Sequence, residues 1–175
     1  MEEWDLNRKV DESKYDSTEL PTYPVRTFVG HVAMKGVQAG SILGLAIGVP
    51  LIAYLRKMPI SKAWLKVMPI APIIGTIGSL SLLYGKNATT PFGSDGIDDR
   101  AFRIMHNKGQ VKVDKYSVVG SVLGMGCATV MAPGIGPIFA AASTGVAVGC
   151  AYYKIDSLGL LDSVASQLEQ MKKET

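Results

Sequence analysis

Residues 116–153 read YSVVGSVLGMGCATVMAPGIGPIFAAASTGVAVGCAYY, 38 residues without one Asp, Glu, Lys, Arg or His. As a single helix this stretch would be about 57 Å long, nearly twice the hydrocarbon thickness of a bilayer of about 30 Å. Its middle, Ala132-Pro133-Gly134-Ile135-Gly136-Pro137, holds two prolines and two glycines in six residues, which is turn chemistry. The stretch therefore reads as a hairpin of two short spans, at about 116–132 and 137–153. A buried helix of a soluble domain normally keeps a polar stripe for water. These 38 residues have no charge from which to build one.

Two further charge-free windows lie upstream, 36–55 with 20 residues and 67–85 with 19. Each matches one crossing at about 20 residues. The expected fold is all-α and integral to a membrane, with four transmembrane helices. A polar N-terminal arm (1–32) precedes the four-helix domain (33–153), and an amphipathic C-terminal helix (154–175) follows it. Leu158, Leu161, Val164, Leu168 and Met171 recur there at helical spacing, as in helices that lie on a membrane interface or a partner.

Across all 175 residues, charged residues reach only 19%, against roughly 25% in a typical globular chain. The net charge of +3 is too small to indicate a nucleic-acid binder. Charge is also segregated: residues 1–35 carry seven acids and five bases.

Glycine placement predicts how the spans pack. Gly36, Gly40, Gly44 and Gly48 recur every four residues and so share one helix face. By chance such a run has odds of about one in a thousand per start. Gly120 and Gly124 repeat the device in the third span, and Ala141, Gly145 and Gly149 in the fourth. Small residues let helix backbones approach closely in lipid, where burial of apolar surface no longer drives association. Gly75 and Gly78 in the second span, and Gly124-Met125-Gly126, are read as packing residues too. The first helix is expected to be central to the contacts.

The loop after span one carries Arg56, Lys57, Lys62 and Lys66 with no acid. The positive-inside rule places such a loop on the cytoplasmic or matrix side and both termini opposite. Between spans two and three a loop helix is expected at about 97–108, capped by Ser94 or Asp95, with Ile97, Ala101, Ile104 and Met105 on one face. In the N-terminal arm, Trp4, Tyr15, Tyr23 and two prolines suggest an extended segment laid on a neighbour, and the polar composition fits a disordered tail equally well. A transit peptide is Arg-rich and poor in acids; this arm is the reverse, so any targeting signal is expected to be internal.

Catalytic groups are sparse. His31 and His106, with Cys127 and Cys150, do not make a metal-ligand spacing. The cysteines are offset by about 10 Å along the hairpin, more than the roughly 7 Å a disulfide tolerates between Cα atoms, so free thiols are expected. No charged residue falls inside a span as drawn, which removes the usual marker of an ion path. Ser79, Ser81, Thr129, Ser143 and Thr144 are expected to bond within or between helices. No catalytic residue, metal or small-molecule substrate is assigned; the reading leaves room for a structural phospholipid.

A Gly-xxx-Gly-rich first span, four spans in all, a basic loop after the first and an acidic N-terminus resemble the mitochondrial inner-membrane translocase superfamily. That group includes preprotein import channel subunits and a membrane-arm accessory subunit of respiratory complex I. The resemblance covers roughly residues 30–153. At the entry to span three, Gln110 stands where the family has arginine, followed by Val111-Lys112-Val113-Asp114, and Val119 replaces a small residue. The resemblance implies both termini in the intermembrane space and a non-catalytic accessory role in complex I, with other membrane-arm subunits and the lipid bilayer as partners. The second expectation is a component of a protein translocase.

Overall fold

The computed structural model describes residues 4–10 and 21–159, and all regular structure among them is helical. Helix α1 spans Pro24–Leu43 and runs through a π-helical turn, Gly44–Gly48, into α2, Val49–Leu55. Then come α3 (Ile60–Val67), α4 (Ala71–Thr89), α5 (Ser94–His106), α6 (Lys108–Met131) and α7 (Ile135–Ser157). The tail beyond residue 159, where the amphipathic C-terminal helix was expected, lies outside the described residues, as does Tyr15.

Local chemistry accounts for most boundaries. Pro24 opens α1, where its missing N–H costs nothing. Pro50 cannot donate to the carbonyl four residues back, and the helix takes its π turn just before it, with the Val49 N–H reaching the Gly44 carbonyl. Pro69 falls between α3 and α4 and Pro72 in the first turn of α4, so the basic connection contains a helix of its own. The hairpin turn falls at residues 132–134, inside the expected Pro-Gly segment. Both of its arms are longer than expected. Asn107 caps α6 by accepting the Gln110 N–H at 3.1 Å, and the helix begins eight residues before the charge-free window. At about 36 and 35 Å, α6 and α7 are each long enough to cross a bilayer.

Among the described residues three stretches are long and apolar enough to span a membrane, namely Pro24–Leu55, Ile60–Thr89 and Ile135–Ser157. The expected fourth, α6, is not among them. Its charge-free part covers only 16 helical residues, and any longer window takes in Lys115 and then Asp114.

The long helices lie side by side in the order α4, α1, α7, α6, with α1 touching α4, α5 and α7. The arm ends earlier than expected, since α1 begins at Pro24 rather than near residue 33. Its described part packs on this same chain. Trp4 lies 6.3 Å from Phe28 and 6.2 Å from Phe92, and Phe28 meets Phe92 edge-on at 6.0 Å. Arg8 donates to buried Asp98, and Arg26 donates to the Leu6 carbonyl at 2.8 Å. Together these contacts hold α5 against the start of α1.

Helix α5 takes the place of the expected loop helix, starting and ending two to three residues earlier, and is capped differently: Gly93 occupies the cap, with no side-chain cap bond. Ile97 and Ala101 are fully buried while Met105 stays exposed, so the apolar face is narrower than its sequence implied. At the opposite end, Val49, Ala63, Met68 and Ala140 form a second core. There the Trp64 indole N–H donates to Thr144 Oγ1 at 2.8 Å, tying α3 to α7.

Candidate functional site

Two features distinguish the interior: two seams of glycine, and one polar clasp between α1 and α6. In the first seam α1 meets α4. A Cβ added at Gly36 would fall 2.6 Å from the Gly75 carbonyl and from Thr76 Cα. One at Gly40 would strike the backbone of Ala71, and one at Gly44 the Ala71 Cβ. Gly48 differs, because it faces the Val67 side chain at 2.9 Å. Gly75 backs onto Gly36 and Gly40, whereas Gly78 has open space, so only the first of that pair belongs to the seam. Gly126 likewise faces open space.

The second seam joins α6 to α7. Gly120 and Gly145 face each other backbone to backbone, Gly124 lies on the Ala141 carbonyl, and Gly149 on that of Tyr116. At each of these positions a side chain would meet main chain, which cannot rotate away, so the helices would have to separate. Ser143 and Thr129 hydroxyls donate to their own helix, to the Phe139 carbonyl at 2.9 Å and the Gly126 carbonyl at 2.7 Å. Ser79 does the same to Thr76 at 2.9 Å.

The clasp ties one seam to the other. Lys35 and Gln38 are one turn apart on α1, and Asp114 and Ser117 one turn apart on α6, so each pair shares a helix face. Lys35 Nζ donates to Asp114 Oδ1 at 2.6 Å and to Gln38 Oε1 at 2.7 Å. Gln38 Nε2 donates to the same Asp114 oxygen at 2.8 Å and to Ser117 Oγ at 2.9 Å. The Ser117 hydroxyl in turn donates to the Asp114 backbone carbonyl at 2.8 Å. His31, one turn before Lys35, brings Nδ1 to 3.7 Å from Asp114 Oδ2. Gln38 is 6% exposed and Ser117 fully buried, so these groups depend on each other rather than on water.

Chemically the clasp is a brace. Its carboxylate is neutralised by Lys35, and the Ser117 hydroxyl is committed to a backbone carbonyl rather than to a base. Among the described residues no three His, Cys, Asp or Glu side chains come together as a metal site. Cys127 is exposed and Cys150 buried, both as free cysteines.

Inspection of charge-free windows alone misses the clasp, because Lys35 and Asp114 sit one and two residues outside their windows. The i, i+3 spacing of polar groups at both window edges is the signal that could have found it. Of the basic residues singled out, Arg56 and Lys57 lie between α2 and α3, and Lys62 and Lys66 on α3; all four are exposed.

Residues 10–155, most of the chain, match a protein family described as of unknown function, DUF1757. The chain belongs to that family. No curated protein and no solved structure matches it. The matched range takes in both glycine seams and the whole clasp.

Proposed function

We propose that this protein is an integral membrane scaffold with four spans, α6 being the fourth. We further propose that it serves as a non-catalytic accessory subunit in the membrane arm of mitochondrial respiratory complex I, with both termini in the intermembrane space. The membrane part of this reading is supported by α4. Ile73, Ile74, Ile77 and Leu82 on that helix are 58–77% exposed, and none of its residues is buried. An apolar helix so bare needs lipid or another protein around it. The basic residues of the α2–α3 connection then mark the matrix side.

The observation that carries the scaffold reading is the self-sufficiency of the clasp. A charged residue at membrane depth usually marks a path for an ion or a polar substrate. Here Lys35 and Asp114 satisfy each other across two helices, as befits a part whose work is to hold a shape. The assignment to complex I rather than to another assembly rests on the family resemblance seen in the sequence. The translocase alternative calls for a polar groove, and the groove along α1 and α4 is lined almost wholly by apolar side chains, which favours the accessory role.

Native-gel separation of solubilised mitochondrial membranes, with mass spectrometry of the band holding this chain, tests the assignment. Co-migration with NADH dehydrogenase activity is the expected outcome. Co-migration with preprotein import machinery would reverse the ranking.

A further inference from the structure

A groove of about 890 Å³ runs along the outer side of the α1–α4 pair. Its walls are almost wholly apolar, with Leu43 and Ile47 on one side and Val67, Ile70, Ile74 and Leu82 on the other. It extends from Lys35 at one end to about Gly48 and Lys66 at the other. Those 13 residues of helix correspond to about 20 Å, which exceeds the roughly 15 Å depth of one bilayer leaflet. The groove can therefore take an acyl chain lengthwise from the interface to the midplane.

The two ends differ in charge. Lys35 lines the groove, but its ammonium is spent on Asp114 and Gln38. Lys66 has no acidic partner within 4 Å among the described residues, and neither do Arg56, Lys57 or Lys62 in the same connection. Residues 56–66 contain no acid at all. One end of an apolar trough is thus neutralised and the other presents an uncompensated cation where lipid headgroups would lie. An ammonium at that depth attracts anionic headgroups over zwitterionic ones.

From this the geometry points to a binding site for one anionic phospholipid, its phosphate at Lys66 and an acyl chain along Ile47, Leu43, Ile70 and Ile74. This assignment rests on the membrane part of the reading above and is independent of which complex the chain joins.

The test uses the full chain, purified in detergent from membranes and titrated with dioleoylphosphatidylglycerol or dioleoylphosphatidylcholine, with bound lipid counted by native mass spectrometry. The parent is expected to retain one phosphatidylglycerol in preference to phosphatidylcholine. Lys66→Gln should weaken that retention about fivefold, as expected for one lysine near an anionic surface. Ile74→Trp, at a position 64% exposed and so tolerant of bulk, should block the groove and abolish retention. Lys57→Gln, in the same connection but outside the groove, should leave it within about twofold of the parent. Equal retention of both lipids, or parent-like retention by both Lys66→Gln and Ile74→Trp, would overturn the assignment. So would a dimer mass that Ile74→Trp removes, since the groove would then hold a second copy. A chain recovered in the soluble fraction instead of the membranes would mean that the membrane reading itself had failed.

Discussion

Replacing Asp114 by Leu removes the acceptor that Lys35 and Gln38 share, and leaves an ammonium and an amide N–H short of partners between α1 and α6. Breaking a fully buried ion pair by deleting one member costs about 3–5 kcal/mol. Lys35 and Asp114 here retain 30% and 27% exposure, so part of that penalty is screened. Interhelical hydrogen bonds in membrane proteins contribute only about 0.6 kcal/mol on average. Weighing the two gives a loss of about 2 kcal/mol for Asp114→Leu, a shift of about thirtyfold in the unfolding equilibrium, and a similar loss for Lys35→Met.

The double variant should behave differently. It exchanges the pair for apolar groups of similar size, a change that is commonly neutral or stabilising, and it leaves Gln38 bonded to Ser117. It is expected within about 1 kcal/mol of the parent, which makes the coupling at least about 3 kcal/mol. Unfolding of the detergent-solubilised protein by titrated dodecyl sulfate, followed by far-ultraviolet circular dichroism, reads all four corners of the cycle. Strictly additive losses, with a coupling below about 0.5 kcal/mol, would refute the reasoning, because the two side chains would then act independently.

Other substitutions probe the seams and the ties at either end of the bundle. Gly145→Leu meets the Gly120 carbonyl and Gly44→Leu the Ala71 Cβ, neither of which can swing aside, so each should destabilise by about 3 kcal/mol or prevent assembly. Gly78→Leu faces open space and should be neutral or stabilising by up to about 1 kcal/mol in the same titration. If all three glycine variants unfolded alike, the seams would not be the close contacts described. Trp64→Phe removes the bond to Thr144 and should cost about 1 kcal/mol. Asp98→Ala strands the Arg8 guanidinium and should expose residues 4–10 to limited proteolysis before any other change appears; an unchanged cleavage pattern would mean that the arm is held by the aromatic contacts alone.

Much of the architecture was legible because it is written locally. Ala132-Pro133-Gly134 cannot continue a helix, and glycines four apart must share a face. Gly120, Gly124, Gly145 and Gly149 therefore fall into one seam as their register required. What escaped notice is long-range or sits at an edge. Lys35 and Asp114 are 79 residues apart in sequence, and a boundary drawn at the first charge places both outside the bundle they join. The N-terminal arm was expected to reach for a neighbour, since nothing local in Trp4 or Arg8 indicates that Phe92 and Asp98 of the same chain will receive them. Helix α3 was hidden for a related reason: its lysines were counted as loop charge, although Ala63 and Trp64 between them face the core. Gly78 shows the limit in the other direction, because register with Gly75 does not guarantee a partner.

Alkaline carbonate extraction of mitochondria, with this chain followed by immunoblot, tests the central claim most directly. If lipid surrounds α4 and the outer faces of α1, α6 and α7, the chain stays in the membrane pellet at pH 11 alongside known multi-pass proteins. Recovery in the supernatant as a dispersed monomer would contradict the account at its root.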